Sequence, residues 1–226
     1  QEQNLYQAII NAYDANKPYP DFGSVRTEIE NINTKPDSLT SVFRPLVEQE
    51  YFADKDSLVW HDWVNRTVIV DVHQIELKEL VCFFILSQIH DELKKLGPSP
   101  ASSSGARLLR TVIVIDEAHY FLASKKRAKV LENMIRDVRS SGGSIVLASQ
   151  SPDDYDKSDF NFLELIEYPV VLGSTPKSAK FLEQKFGLDK QRANALLKEL
   201  VNLNRGEGYV MTDGKPVLVE LCKKDS

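Results

Sequence analysis

The apolar positions of this 226-residue chain follow two rhythms. Over residues 5–15 apolar side chains recur at steps of three and four and stop at Lys17-Pro18, which predicts a short amphipathic helix. Asp37-Ser38-Leu39 opens a second, with apolar periodicity running through Val47 to Tyr51. Residues 1–65 therefore read as a helical, loop-rich segment without recognisable chemistry. From residue 66 onward short apolar runs alternate with helical stretches: a strand over 67–72, a long helix over 76–96, and a Gly-, Pro- and Ser-rich loop over 97–105 whose composition resists ordering. An apolar strand over 112–115 follows, then a helix over 127–140 stopped by Gly142-Gly143 and a strand over 144–148. A polar loop to residue 159, a short helix ending near Tyr168-Pro169 and a strand over 170–172 come next. Helices over 177–186 and 189–201, broken by Gly187, precede a hairpin of 208–211 and 217–221 that turns at Asp213-Gly214.

Alternation of this kind implies the α/β class: a mainly parallel sheet with helices on both faces, a three-layer sandwich, closed by a C-terminal antiparallel hairpin. Residues 66–226 form this domain in the expected organisation. The run Val112-Ile113-Val114-Ile115 has no polar side, which predicts a strand buried on both faces. No internal repeat is visible.

Composition changes the picture only by exclusion. With 42% apolar and 27% charged residues, the chain is an ordinary globular sequence. Its densest apolar run, residues 80–86, is far short of a membrane span, so no membrane partner is expected. The polar N-terminus carries no secretory signal, and a first residue of Gln suggests an excised fragment. Two cysteines, Cys82 and Cys222, fit a reducing compartment, and a cytoplasmic protein is expected. A net charge of −5 argues against nucleic acid gripped over the whole surface. Any such contact must be local, and the densest basic cluster is Lys125, Lys126, Arg127 and Lys129, which reads more simply as a solvated helix face.

Candidate chemistry sits where the apolar strands stop. Asp116 and Glu117 follow the strand of 112–115 directly, at the edge where ligands of open α/β sheets bind. An apolar strand ending in two acids has the form of a Walker B element. Phosphoryl transfer needs Mg2+ bridging the phosphates, held in part by an aspartate through water, and a second acid to orient or deprotonate the attacking water. Asp116 is assigned to the metal and Glu117 to the water; the simpler alternative is a pair of acids at a helix start. Gln150 ends the next apolar strand, 34 positions after Asp116 (150 minus 116), so both strand ends should open onto one cleft. A glutamine there can donate to a γ-phosphate and accept from water. Arg136 and Arg139 lie at a helix C-terminus, as candidate fingers reaching into a neighbouring subunit or as cations favoured by the dipole. His119 could couple nucleotide state to the next helix or could be a packed core histidine, and no partner at metal-ligand spacing supports a zinc site.

A Gly-x-x-x-x-Gly-Lys-Ser/Thr loop, needed to cradle the phosphates, occurs nowhere in the sequence. The chain is expected to start downstream of that loop and to bind ATP poorly or not at all alone.

Taken together these strings resemble the HerA/FtsK superfamily of ring-forming DNA-translocating ATPases. The likeness spans residues 66–221: Val68-Ile69-Val70-Asp71, a long helix, the strand ending Asp116-Glu117-Ala118-His119, a helix ending Arg136-Asp137-Val138-Arg139-Ser140-Ser141-Gly142-Gly143, Ser149-Gln150-Ser151-Pro152, and a hairpin opening Gly206-Glu207-Gly208-Tyr209-Val210. The resemblance implies an incomplete RecA-like core, ATP and Mg2+ as cofactors of the complete protein, duplex DNA as partner, and a ring, a hexamer, with ATP between subunits. Carried over by position, Asp116 and Glu117 are the Walker B pair, Gln150 the sensor, and Arg139 or Arg136 the finger. The Ser-Ser-Gly-Gly string departs from the Gly-Arg-Lys-like turn common in relatives. More narrowly, Pro36-Asp37-Ser38-Leu39-Thr40 through Tyr51-Phe52 is similar to the ATPase of phosphorothioation-dependent restriction, implying other restriction or nuclease subunits as partners. Two other readings are a non-catalytic RecA-like scaffold, favoured by the missing loop, and a superfamily-two DEAH helicase. The helicase needs a second RecA-like domain with a Gln-x-x-Gly-Arg-x-Gly-Arg motif, absent from the 76 residues after Gln150 (226 minus 150).

Overall fold

Aspartate side chains set the starts of two N-terminal helices. Asp21 accepts from the Ser24 N–H at the start of α2 (Phe22–Ile32), and Asp37 accepts from the N–H groups of Leu39 and Thr40 at the start of α3 (Ser38–Glu48). With α1 (Glu2–Ala15) these helices bury Ala8, Ala12, Val25, Ile29, Phe43 and Leu46 as one core, against which Leu5, Ile32, Leu39 and Leu77 pack. In α1 the small Ala8 and Ala12, four apart, let α2 approach closely.

The computed structural model describes residues 1–15, 20–33, 35, 37–49, 60–122, 125–157 and 160–221, with the backbone alone at 125–127, 157, 160 and 161. The side chains of Lys125, Lys126 and Arg127, together with Cys222, Pro36, Tyr51 and Phe52, lie outside the described residues. The chain divides into two compact units, Gln1–Glu92 and Leu93–Ser226. The first holds α1 to α3, α4 (Trp60–Val64) and most of α5 (Lys78–Lys95), which crosses the division. Among the described residues no helix is long and apolar enough to cross a membrane.

The first unit departs from expectation at residues 67–72, which form no ladder among the described residues. A strand exists only through pairing, and Val68, Ile69 and Val70 are exposed, Ile69 to 91%. The segment ends in a turn in which Asp71 accepts from the His73 N–H.

The second unit is mixed α/β, as the pattern of the sequence predicts. β1 (Thr111–Ile115) and β2 (Gly143–Leu147) form a parallel pair joined through α6 (Lys125–Val138). The 3-10 turn Pro152–Tyr155 leads to a short antiparallel pair, β3 (Asp156–Lys157) and β4 (Phe160–Asn161), and then to the 3-10 turn Phe162–Leu165. β5 (Val170–Leu172) pairs antiparallel with β6 (Glu207–Thr212), which pairs with β7 (Lys215–Glu220); α7 (Lys180–Lys185) and α8 (Lys190–Leu200) lie between β5 and β6 in sequence. Gly208 stands opposite Leu172, where a Cβ would lie 2.9 Å from the Leu172 side chain and 3.0 Å from the Val171 carbonyl oxygen, so packing favours the second glycine of the Gly-x-Gly string.

Burial of β1 on both faces is not observed. Ile113 and Ile115 are buried, but Val112 and Val114 are 50% and 66% exposed, and Val146 of β2 is exposed beside them. The apolar run meets cover on one face only among the described residues. Order in the loop of residues 97–105 is the second correction. Ser99 N–H donates to the Ser140 carbonyl, Leu108 N–H to that of Pro100, and the Arg107 and Arg110 guanidiniums donate to the carbonyls of Ser99 and Gly97. Arginine donors satisfy carbonyls that composition alone leaves to water.

The two units carry opposite charge: 16 acids and 7 bases in Gln1–Glu92, net −9, against 17 acids and 21 bases in Leu93–Ser226, net +4, which together give the −5 of the chain.

Candidate functional site

Parallel pairing brings the two strand ends to one edge. The register runs from Thr111 opposite Gly143 to Ile115 opposite Leu147. It continues past the strands: Ala148 N–H donates to the Ile115 carbonyl at 2.9 Å, and Ala118 N–H donates to the Ala148 carbonyl at 2.8 Å. Asp116-Glu117 and Ser149-Gln150 therefore leave the sheet side by side, on strands about 4.8 Å apart.

The chain turns sharply there. Asp116 Oδ1 accepts from the Glu117 N–H at 2.9 Å, and Glu117 takes the left-handed backbone, φ 51° and ψ 43°. For a non-glycine residue that conformation costs about 1–2 kcal/mol and persists only where the surroundings impose it. Glu117 Oε1 accepts from Gln150 Nε2 at 2.9 Å. Glu117 Oε2 is buried without a hydrogen bond among the described residues, and His119 Nδ1 lies 3.0 Å from it. The His119 ring rests against that of Tyr120, centroids 4.2 Å apart. Asp116 and Gln150 are exposed, while Glu117 and His119 are half-buried. The arrangement offers one exposed carboxylate, a second bonded at Oε1 by an amide with an imidazole nitrogen close to its Oε2, and an exposed amide.

Residues after Gln150 anchor it. Ser149 Oγ donates to Asp154, Ser151 Oγ accepts from the Asp153 N–H, and Asp153 Oδ2 accepts from the Lys177 N–H at 2.8 Å. The Tyr155 hydroxyl donates to the Leu147 carbonyl at 3.0 Å, the last residue of β2. Burial, with the Asp154 charge adding to it, pushes the Tyr155 phenol up to about 12. Sequence reasoning stopped at Gln150 and missed this support. Its signal was the string Ser151-Pro152-Asp153-Asp154-Tyr155, which pairs a turn-forming Pro with three side chains able to cap it.

Arg136 and Arg139 are not brought to the acids. They lie beside Gly142-Gly143, where β2 begins, and five residues of strand, about 17 Å, separate that edge from Gln150. Arg136 pairs with Glu132, whose carboxyl is held below its usual range by Lys129 and by Arg136. Arg139 pairs with Glu167 at 3.3 Å, both exposed. No cluster of three His, Cys, Asp or Glu that could hold a metal ion occurs among the described residues.

An α/β unit whose parallel strands end in an acid pair facing an amide belongs to the class of nucleotide-hydrolase cores. Residues 101–213, half of the chain, match the sequence profile of the AAA-like domain, and the chain belongs to that family as an AAA-like ATPase domain. In fold it is similar to VirB4 of Thermoanaerobacter pseudethanolicus, with a TM-score of 0.69 at 15% identity over 99% of this chain and 64% of that one. The chain thus spans a little under two thirds of that relative's length. These matches agree with the HerA/FtsK resemblance at the level of the superfamily, and neither singles out the narrower restriction likeness. No curated protein sequence matches significantly.

Proposed function

We propose that this chain supplies the metal- and water-handling side of an ATP hydrolysis site in a HerA/FtsK-type motor that moves duplex DNA. The observation that carries the reading is the 2.9 Å bond from Gln150 to Glu117 across two parallel strand ends. ATP and Mg2+ are the cofactors proposed. Asp116 fits the metal: it is exposed, among the described residues only its Oδ1 is engaged, and Mg2+ is held by one or two carboxylates with the remaining positions left to water and phosphate. When bound, Mg2+ would neutralise charge on the phosphates. Glu117 orients the attacking water and accepts its proton. Gln150 has a second N–H for a γ-phosphate and a carbonyl for the water, so it can report whether the nucleotide is intact.

The phosphate-binding loop must be supplied by the complete protein, since the chain has no such string. Arg139, and after it Arg136, is the proposed finger for a neighbour's nucleotide in a ring, a hexamer. Its exposed pair with Glu167 is worth about 0–1 kcal/mol and exchanges readily for phosphate. Duplex DNA is the proposed substrate, and phosphorothioation-dependent restriction, in the manner of DptH with further restriction or nuclease subunits, is the narrower process; its string at residues 36–52 lies partly outside the described residues. The missing loop favours one second reading, a RecA-like scaffold without turnover.

Steady-state ATP hydrolysis by the full-length protein, with and without duplex DNA, separates the two. Glu117→Gln should lower kcat about 10²–10⁴-fold, the usual contribution of a positioned base. A full-length protein with no turnover and no nucleotide-dependent assembly leaves the scaffold.

A further inference from the structure

We propose that His119 is the positioning residue of Glu117, holding through Nδ1 the carboxylate oxygen that Gln150 leaves uncovered. This rests on the reading of Glu117 as the water-orienting acid.

Four observations carry it. Glu117 sits at a left-handed turn, with its N–H taken by Asp116 and no helix of its own to hold the side chain. Its Oε1 is held by Gln150 Nε2 at 2.9 Å. Its Oε2 is buried without a hydrogen bond among the described residues, and His119 Nδ1 stands 3.0 Å from it, at ion-pair distance. The His119 ring leans on that of Tyr120, centroids 4.2 Å apart, with Nδ1 on the side of Glu117.

The chemistry then divides the work. A base that takes a proton from water must point its lone pairs at one place, and a carboxylate held at one oxygen still swings about the bond to its chain. Gln150 cannot be the only restraint, because in the proposed site it also turns toward the γ-phosphate. His119 lies two residues from Glu117 on the same turn, so its hold survives rearrangement of the Gln150 strand end. At 3.0 Å a small turn of the imidazole brings an Nδ1–H onto Oε2, and the role requires no metal.

Three substitutions separate positioning from packing. His119→Asn keeps an N–H close to the place of Nδ1 and removes the ring; His119→Phe keeps a ring against Tyr120 and removes the donor; His119→Ala removes both. The first readout needs no catalysis: the side-chain amide signals of Gln150, identified by their loss in Gln150→Ala, report in nuclear magnetic resonance whether Glu117 still accepts from them. We expect them unmoved in His119→Asn and displaced in His119→Phe and His119→Ala. In the full-length protein, kcat for ATP should fall about 10–100-fold in His119→Phe and His119→Ala, as when a group orienting a reactive ligand is lost, with KM within about twofold and His119→Asn close to wild type. Amide signals unmoved in all three variants overturn the proposal, as does a His119→Phe protein that behaves as wild type while His119→Asn fails. Absence of ATP turnover in the wild type defeats the hydrolase reading alone, and the amide signals still decide the role of His119.

Discussion

Glu117 and Gly142 both hold left-handed backbone, for different reasons. At Gly142, φ +81°, an added Cβ would lie 2.6 Å from the Leu108 carbonyl oxygen and 2.9 Å from the buried Ser99 side chain. Gly142→Ala should therefore destabilise the protein by about 1–3 kcal/mol, read as a fall in Tm, and an unchanged Tm would contradict the packing described. Tyr155 gives a second residue-scale prediction. Its folded phenol titrates at about 12, above the ordinary 10. The stability linked to this raised value is fully present below pH 10 and is lost as pH rises from there toward 12. Absorbance titration should show a late phenolate that Tyr155→Phe removes, with about 1 kcal/mol of stability lost at neutral pH for the bond to Leu147. Of the site itself, Asp116, Glu117 and Gln150 were legible because acids and an amide closing two apolar runs have one plausible common edge. The hold of His119 was not legible, since it depends on a left-handed turn that nothing in an Asp-Glu-Ala-His string encodes.

Caps and apolar periodicity made most helices legible, and the expected starts at Asp37 and Asp189 are capped as the sequence suggests. Backbone N–H groups, Thr40 foremost, hold the Asp37 carboxyl below its usual range. That contribution is present above pH about 4 and is lost as pH falls through the depressed folded value. Asp37→Ala should accordingly lower Tm at pH 7 and converge with wild type in acid; an equal deficit at every pH would contradict a charge-dependent cap. Strands were legible less evenly. Residues 67–72 and 111–115 carry the same kind of apolar run, yet among the described residues only the second finds a partner, because pairing is decided by what lies alongside rather than by the run itself. The loop of 97–105 misled in the opposite direction, its order coming from Arg107 and Arg110 outside it.

At the scale of the molecule the division of charge bears on the proposed DNA partner. Leu93–Ser226, net +4, is expected to make that contact rather than Gln1–Glu92, net −9. Duplex DNA binding should weaken steeply with salt, and reversing Lys129, in the basic cluster that opens α6, should lower the slope of log K against log salt by about one. No affinity for DNA even at low salt would remove DNA translocation from the account. The α/β class was legible in the sequence because alternation of strand and helix is a property of the whole chain; the division at residue 92 was not, because a single helix, α5, runs across it.

The central claim is that two strand ends present Asp116, Glu117 and Gln150 to one nucleotide. It is tested most directly by Mg2+-dependent phosphate release from ATP by the full-length protein carrying Glu117→Gln. The account predicts that this variant retains ATP binding while kcat falls by about 10²-fold or more. Turnover at the wild-type rate in Glu117→Gln would contradict it.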